Sequence, residues 1–219
     1  MLKAIIFDCD GVLVDTERLT VDVEARVLTD LGWEMTPDDV VRHWMGRSSQ
    51  SQLAELEERL GAERTAEFER RTTAEVQDLF ERELAAVEGV AELVTELHKA
   101  EVTTCVASSG THERIRFTLG LTGLLPEFEG RIFSATDVDR GKPAPDLFLH
   151  AATSLGAAPA SCVVVEDSVY GVQAAVAAGM SVYGFAGGLT PRHQLEASGA
   201  VAFERMTDLA PRLGLPTLG

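Results

Sequence analysis

The sequence predicts an α/β fold in which a parallel sheet is interrupted near its start by an all-helical insert. Three observations support this fold class. Short apolar, β-branched runs alternate with helical patterns from residue 90 onward. Residues 15–87 lack such runs and are rich in charged side chains. Finally, 219 residues with an apolar content of 45% suffice for one large core and a small accessory domain.

The first predicted strand covers residues 4–7, a run too short for a helix and rich in β-branched and aromatic side chains. Asp8 and Asp10 follow it. Because side chains alternate along extended chain, these two aspartates should lean to the same side while Cys9 turns away. Two carboxylates so close together repel each other unless a positive group lies nearby. The segment therefore predicts a site for a cation or a basic side chain.

The insert is expected to consist of four helices, because its apolar residues recur at helical spacing. The best-marked start is at Thr36, which has the side chain of an N-cap and is followed by Pro37 and two acidic residues. The four helices are predicted at residues 16–31, from residue 37 onward, at 49–60 and at 65–84.

From residue 90 the pattern changes to alternating helices and strands. Helices are predicted at residues 91–100, 111–119, 145–155 and 169–178, and strands at 102–107, 131–134, 162–165, 181–185 and, as an edge strand, 200–203. Such alternation indicates a parallel sheet with helices on both faces. Ligands of such sheets bind beyond the carboxyl ends of the strands.

Polar clusters follow four of the predicted strands. They are Asp8 and Asp10 after the first, Ser108 and Ser109 after the second, Lys142 after the third, and Glu166 and Asp167 after the fourth. Each cluster alone has an ordinary explanation as a turn, a helix cap or a solvated lysine. Together, on one edge of a sheet, they suit a magnesium ion held by carboxylates and a phosphate held by a hydroxyl and a helix N-terminus.

The order and spacing of these motifs resemble those of the haloacid dehalogenase (HAD) superfamily over nearly the whole chain. The residues concerned are Asp8-Cys9-Asp10-Gly11, Ser108-Ser109-Gly110, Lys142-Pro143 and Glu166-Asp167-Ser168. The helical insert is similar to the cap domain of the β-phosphoglucomutase-like branch. The resemblance implies a Rossmann-like core domain formed by residues 1–14 and 88–219, and a cap domain at residues 15–87.

The resemblance also implies roles for individual residues. Asp8 would be the nucleophile that forms an aspartyl-phosphate, and Asp10 would be the general acid and base. Ser108 and Lys142 would complete the catalytic set by binding the transferring phosphoryl group. Mg²⁺ would be held by Asp8, the backbone carbonyl of Asp10 and Asp167. Glu166 would either be a further ligand or contact the ligands without binding the metal itself. Substrate binding is assigned to Ser108, Ser109, Lys142, Arg47 and Thr16.

The resulting prediction is a magnesium-dependent phosphatase of a small phosphorylated sugar or sugar acid. Residues 78–84 and 88–90 are similar to the 6-phosphogluconate phosphatase group. One alternative is a phosphosugar mutase of the β-phosphoglucomutase type. Those mutases have a cap histidine, arginine and lysine, whereas Thr20 and Ser49 stand near the first two places here and the cap has no lysine.

A non-enzymatic alternative is a phosphoacceptor signalling or binding domain, which also places acidic residues, a hydroxyl and a lysine on a parallel sheet. In such signalling domains the acidic pair precedes the phosphorylated aspartate. Here Asp8 comes first and the pair Glu166-Asp167 comes last, so the order favours the phosphatase.

The net charge of −16 argues against partnership with nucleic acid or with an acidic membrane surface, but not against a small phosphate ester. The three cysteines cannot all pair, which favours a reducing, cytoplasmic setting. The apolar run before Asp8 is too short for a secretory signal. A monomer is the simplest assumption about assembly.

Overall fold

A computed structural model describes residues 2–44 and 49–214, and it confirms the predicted α/β class. Six strands form one sheet in the order β3-β2-β1-β4-β5-β6, and every neighbouring pair is parallel. The strands are β1 (Ala4–Phe7), β2 (Thr103–Ser108), β3 (Ile132–Ser134), β4 (Cys162–Glu166), β5 (Ser181–Phe185) and β6 (Val201–Phe203). Each lies within one residue of its predicted limits.

The helices of the first half are α1 (Thr16–Asp30), α2 (Pro37–Trp44), α3 (Ser49–Leu60), α4 (Ala62–Glu83) and α5 (Val90–Lys99). Those of the second half are α6 (His112–Leu121), α7 (Leu125–Phe128), α8 (Asp146–Ser154), α9 (Val169–Ala177), α10 (Arg192–Ala197) and α11 (Leu209–Arg212). The sequence analysis missed α7, α10 and α11, because a helix of four to six residues is too short to display a helical period.

Strand β1 lies at the centre of the sheet and is fully buried. Its Phe7 stands opposite Val106 of β2 on one side and Val165 of β4 on the other. This register brings the carboxyl ends of three neighbouring strands to the same edge. On one sheet face, Ile6 joins a core that includes Phe148 of α8 and Val172 of α9. On the other face, the Phe7 ring meets Phe128 of α7 edge to face, with centroids 6.2 Å apart.

The chain divides into two compact units, one made of the residues up to Asp15 and from Ala85 onward, the other of Thr16–Leu84. Within the first unit, the segments that lead into and out of the second are hydrogen-bonded to each other. The Asp15 N–H donates to the Ala85 carbonyl at 3.0 Å, and the Val87 N–H donates to the Leu13 carbonyl at 3.0 Å. The assignment of residues 1–14 and 88–219 to a core domain, and of residues 15–87 to a cap domain, stays a prediction.

The second unit consists of α1 to α4, with α1 packed on α4 and α2. Its core includes an aromatic row in which Trp44 meets Trp33 and Phe68 edge to face, at centroid distances of 5.9 and 5.8 Å. As predicted, α2 starts with Thr36, whose hydroxyl accepts the Asp39 N–H while the Asp39 carboxylate accepts the Thr36 N–H. None of the helices found in residues 2–44 and 49–214 combines the length with the apolar character that a membrane-spanning segment needs.

Candidate active site

A buried lysine joins two carboxylates at the carboxyl edge of the sheet. The Lys142 ammonium donates to Asp8 Oδ1 at 2.7 Å, to Glu166 Oε1 at 2.8 Å and to the Ala107 carbonyl at 3.1 Å. The Lys142 side chain is 5% exposed, and that of Glu166 is fully buried. Asp8 follows β1 and Glu166 ends β4, so the parallel register of the two strands sets the spacing of the carboxylates. Lys142 is thus the positive partner that the sequence required beside Asp8.

Three buried carboxylates at this edge form a group that could hold a metal ion. Asp8, Glu166 and Asp167 each offer an oxygen, and these oxygens all lie within 4.8 Å of one another. Two of these carboxylates, those of Asp8 and Glu166, share the single ammonium of Lys142. Buried charges require compensation, and oxygen ligands of this kind suit a hard divalent cation. The donor set therefore fits Mg²⁺.

The charges in this cluster act strongly on one another. Burial raises the pKa of Asp8 above its ordinary value, Lys142 opposes that rise, and Glu166 adds to it. Burial alone would lower the pKa of Lys142, but the carboxylates of Asp8 and Glu166 outweigh it and hold that pKa above its usual value. The lysine is therefore a permanent cation, whereas the ionised form of Asp8 depends on the positive charge placed around it.

The Glu166 carboxylate is fixed by the first turn of α9. Its Oε2 accepts the Ser168 N–H at 2.7 Å and the Ser168 hydroxyl at 2.8 Å. Gly171 leaves the space for this carboxylate, because a Cβ at residue 171 would lie 1.7 Å from Glu166 Oε1. The sequence analysis missed Gly171. A signal was present in the sequence, because residue 171 is three residues after a helix-capping serine and therefore inside a helix. Glycine is a poor helix former, so its presence there indicates a need for space.

The predicted phosphate-binding segment follows β2 and leads into α6. Ser108 is buried, and its hydroxyl oxygen accepts the Gly110 N–H at 3.1 Å. Ser109 is exposed in the same segment. The Thr111 hydroxyl accepts the Arg114 N–H at 3.3 Å and thereby caps α6. A hydroxyl and a helix N-terminus thus meet at one place, as an anion site requires.

Residues that the sequence analysis did not single out brace this segment. The Ser134 hydroxyl, at the end of β3, donates to the Gly110 carbonyl at 2.7 Å. The Asp137 carboxylate accepts the Ser134 N–H at 2.9 Å and lies 2.9 Å from His112 Nε2 at the start of α6. In the sequence, Ser134 and Asp137 look like an ordinary capping box on a short 3-10 turn. Their contacts with Gly110 and His112, which only the structure reveals, show that they support the predicted phosphate-binding segment.

Asp10 lies beyond the buried cluster. Its side chain is 29% exposed and faces Arg114 of α6, whose Nη2 is 3.3 Å from Asp10 Oδ1. Cys9, between the two aspartates, is fully buried. Burial raises the pKa of the Cys9 thiol well above its ordinary value, and Asp10 and Asp8 raise it further. The thiol therefore stays protonated and is a poor nucleophile.

The structure thus brings four of the predicted site residues close together. Lys142 contacts Asp8 and Glu166, and an Asp167 oxygen lies within 4.8 Å of an oxygen of each of these carboxylates. Asp10 and Ser108 lie on the segments that follow β1 and end β2. Thr16 is buried at the start of α1, in the helical unit. Arg47 lies outside the described residues. The role of each residue stays a prediction.

Three comparisons with known proteins bear on this site. A family model for haloacid dehalogenase-like hydrolases matches residues 2–179. The 6-phosphogluconate phosphatase of Escherichia coli (strain K12) is 32% identical over 186 residues, which are 84% of this chain and 82% of that protein. The phosphorylated carbohydrates phosphatase of Thermotoga maritima is 31% identical over 210 residues, 95% of this chain and 96% of that protein.

A solved structure is similar over the same extent. The HAD family hydrolase from Deinococcus radiodurans R1, crystallised with bound phosphate and sodium, superposes with a TM-score of 0.82 at 30% identity. The match covers 97% of this chain and 95% of that one. The similarity therefore includes the sheet, the segments at its carboxyl edge and the helical unit.

Proposed function

We propose that this chain, which belongs to the haloacid dehalogenase-like hydrolases, is a magnesium-dependent phosphatase of a small phosphorylated sugar or sugar acid. The family is one of hydrolases, so the chain is an enzyme. The observation that supports the proposed chemistry best is the buried contact of Lys142 with Asp8 and Glu166, beside Asp167. It gives Asp8 and Glu166 a shared positive partner and gathers carboxylate oxygens whose negative charge a divalent cation would help to neutralise.

In the proposed reaction an Asp8 carboxylate oxygen attacks phosphorus, and the ester bond between phosphorus and the sugar oxygen breaks. Asp10 gives a proton to that leaving oxygen, so the sugar departs as an alcohol. Asp10, now a carboxylate, takes a proton from a water molecule that attacks the aspartyl-phosphate. Inorganic phosphate leaves, and Asp8 returns to its starting form.

Other residues of this chain hold the phosphoryl group during transfer. The Ser108 oxygen accepts the Gly110 N–H, and its own proton can donate to a phosphoryl oxygen. The start of α6 adds backbone N–H groups. Lys142 offsets the charge of Asp8 and Glu166. Asp8, Glu166 and Asp167, with the carbonyl of Asp10, would hold Mg²⁺, which when bound supplies positive charge for the phosphoryl oxygens.

The substrate class is inferred from two relatives, one named for 6-phosphogluconate and one for phosphorylated carbohydrates. The net charge of −16 also favours a small diffusible ester over nucleic acid as substrate. Hydrolysis is preferred to phosphosugar mutation because the second unit has no lysine and Thr20 stands near the place where mutases have a histidine.

The test is phosphate release from a panel of phosphorylated sugars and sugar acids, including 6-phosphogluconate. We expect turnover with Mg²⁺, loss of turnover on chelation and its return when Mg²⁺ is added back. Asp8→Asn should reduce kcat by roughly 10³-fold or more, whereas Asp139→Asn, a substitution at an exposed residue of the same unit, should retain activity.

Three other outcomes would contradict the proposal. Retained turnover in Asp8→Asn would exclude the aspartyl-phosphate route. A stable phospho-aspartate without turnover would support a signalling domain. Conversion of one phosphorylated sugar into its isomer, in the presence of a bisphosphorylated primer and without net phosphate release, would support a mutase.

A further inference from the structure

Helix α6 contacts the segment Asp8-Cys9-Asp10 at two successive turns. Arg114 Nη2 lies 3.3 Å from Asp10 Oδ1, and Thr118 Oγ1 lies 3.8 Å from Cys9 Sγ. Residues 114 and 118 are one turn apart, so they lie on the same face of α6. Thr118 and Cys9 are both buried. The helix is thereby fixed against two consecutive residues of the segment, and the contact made by Arg114 is the more exposed of the two.

The path of the Arg114 side chain crosses the predicted phosphate-binding segment. A Cβ at Gly110 would lie 3.6 Å from Arg114 Cδ and 3.5 Å from Ser108 Oγ. The Arg114 backbone is fixed at the same place, because its N–H donates to the Thr111 hydroxyl. The arginine stem therefore passes over Gly110, and the guanidinium extends from the phosphate segment to the Asp10 carboxyl group.

We infer that Arg114 is a positioning residue that orients the Asp10 carboxyl group for proton transfer to the leaving oxygen. The guanidinium has only N–H donors, so the oxygen that it contacts, Oδ1, has to be an acceptor. The proton that Asp10 delivers then belongs to Oδ2. The contact thus decides which oxygen faces the substrate. This inference rests on the proposed function, in which Asp10 is the general acid.

The step affected is the first half of the proposed reaction. The bond between phosphorus and an Asp8 oxygen forms while the bond between phosphorus and the leaving oxygen breaks. The proton on Asp10 Oδ2 moves to the leaving oxygen, and the electron pair of the broken bond stays on that oxygen. The products are the aspartyl-phosphate, the alcohol and the Asp10 carboxylate, and Arg114 neither gains nor loses a proton.

A purely structural role for this ion pair makes a different prediction. The Arg114 side chain is 44% exposed, and exposed ion pairs contribute little to folding stability. If the pair only supported the fold, its loss would slow all substrates alike. If it positions the acid, its loss would slow only those substrates whose leaving oxygen needs a proton. The chemistry of the leaving group therefore separates the two roles.

The experiment compares kcat/KM for two substrates in the presence of Mg²⁺. One is p-nitrophenyl phosphate, whose nitrophenolate departs without a proton, and the other is the alkyl phosphate that the wild-type enzyme hydrolyses best in the sugar-phosphate panel. We expect Arg114→Gln to lower kcat/KM for the alkyl phosphate by about tenfold or more and for p-nitrophenyl phosphate by less than about threefold. Arg114→Lys, which keeps the charge, should recover part of the loss for the alkyl phosphate.

The matched control is Arg116→Gln, two residues farther along α6. Arg116 is 46% exposed and pairs with Glu129, away from Asp10, and its loss should leave both substrates unchanged. An equal loss for the two substrates in Arg114→Gln, or no loss for either, would overturn the inference. If Arg114→Gln does not fold, the ratio of the two substrates in Arg114→Lys decides in the same way.

These results are distinguishable from failure of the proposed function. Activity that survives in Asp8→Asn, or a wild-type enzyme that hydrolyses neither substrate, would overturn the proposed function and this inference together. Suppose that Asp8→Asn loses turnover as expected, but that Arg114→Gln lowers kcat/KM equally for the two substrates. This result would overturn the inference about Arg114 and leave the proposed function standing.

Discussion

Lys142 Nζ lies 2.8 Å from Glu166 Oε1, and both side chains are almost completely removed from solvent. The same ammonium contacts Asp8. A single lysine thus serves two of the three carboxylates that could hold a metal ion. Lys142 therefore offsets part of the negative charge of the cluster. A divalent cation at this site would stabilise the same carboxylates, so the lysine and the cation should each matter more when the other is absent.

The first prediction follows from this overlap. Lys142→Met removes the ammonium and leaves buried carboxylates without their partner, a loss that typically costs about 3–5 kcal/mol. The Tm without Mg²⁺ should therefore fall. Addition of Mg²⁺ should raise the Tm more in the variant than in the wild type, because the cation binds only the folded cluster. The measurement is thermal unfolding over a Mg²⁺ titration.

Lys99→Met, at an exposed lysine of α5, is the control and should follow the wild type. An equal rise in Tm with Mg²⁺ in Lys142→Met and in the wild type would show that the lysine and the cation do not share these carboxylates.

The second prediction concerns the space beneath Glu166. Gly171→Ala would place a methyl group 1.7 Å from Glu166 Oε1, so the carboxylate has to move. We expect a weaker response of activity to Mg²⁺ and a fall in kcat of at least about tenfold, since a small misplacement of a catalytic group has large effects. Initial rates over a Mg²⁺ titration measure both.

The matched substitution is Gly120→Ala in α6, where the new methyl group would have no neighbour within 4 Å among the described residues beyond its own turn of helix. It should leave the rates unchanged and stabilise the helix by up to about 1 kcal/mol. If Gly171→Ala retains the wild-type response to Mg²⁺, the placement of Glu166 does not depend on this glycine.

The third prediction concerns the brace behind the phosphate segment. Ser134→Ala removes the hydroxyl that donates to the Gly110 carbonyl and accepts the Thr136 N–H. Ser134 is fully buried, so the unfolding free energy should fall by about 1–3 kcal/mol. Because the Gly110 carbonyl loses its anchor, KM and the inhibition constant of inorganic phosphate should both rise by several-fold. Steady-state kinetics with phosphate as inhibitor provide the measurement.

Ser154→Ala, at the exposed end of α8, serves as the comparison and should change neither constant. An unchanged inhibition constant in Ser134→Ala would mean that Gly110 holds its position without the serine.

The fourth prediction is a pH dependence of stability that comes from Glu24 on α1. Burial raises the pKa of Glu24 from its ordinary value of 4.5 to about 7. As the pH rises, the unfolded chain loses the Glu24 proton at a lower pH than the folded chain does. The free energy of unfolding therefore falls as the pH rises from 4.5 to 7. Glu24→Gln lacks the penalty. It should be more stable than the wild type by up to about 3 kcal/mol at pH 8, and equal to it near pH 4.

Urea unfolding at several pH values measures this difference. Glu69→Gln, at an exposed position of α4, should show no such change with pH. A constant difference between Glu24→Gln and the wild type from pH 4 to pH 8 would exclude the buried carboxyl group as its source.

Most of the fold could be predicted from the sequence because the sheet is built from strands buried on both faces. Strand β1 was predicted to the residue, since Ala4–Phe7 is apolar throughout and ends at Asp8. The short helices α10 and α11 were missed because they bury few side chains. Each rests on one or two buried residues, such as Leu195 and Leu209, and so few contacts leave no period in the sequence.

The candidate site was predictable in its charged residues but not in their supports. Asp8 and Glu166 are visible as polar residues at the ends of apolar runs, and Lys142 as a lysine in the loop after the third strand. The contacts that place such groups, by contrast, join positions far apart in the chain. Arg114 meets Asp10 across 104 residues, and Ser134 meets Gly110 across 24. A local sequence pattern indicates the helix or strand to which a residue belongs. It does not predict which distant residues meet, because that depends on the order of the strands in the sheet.

The hydrogen bond between Asp15 and Ala85 closes the sheet unit at the place where the helical unit departs from it. The two chain ends created by excising residues 16–84 would therefore already adjoin, and a short peptide could join them without disturbing β1. This junction would allow the helical unit to be removed or replaced as one continuous segment. Recombination at these two points would leave Asp8, Lys142 and Glu166 together in the retained chain.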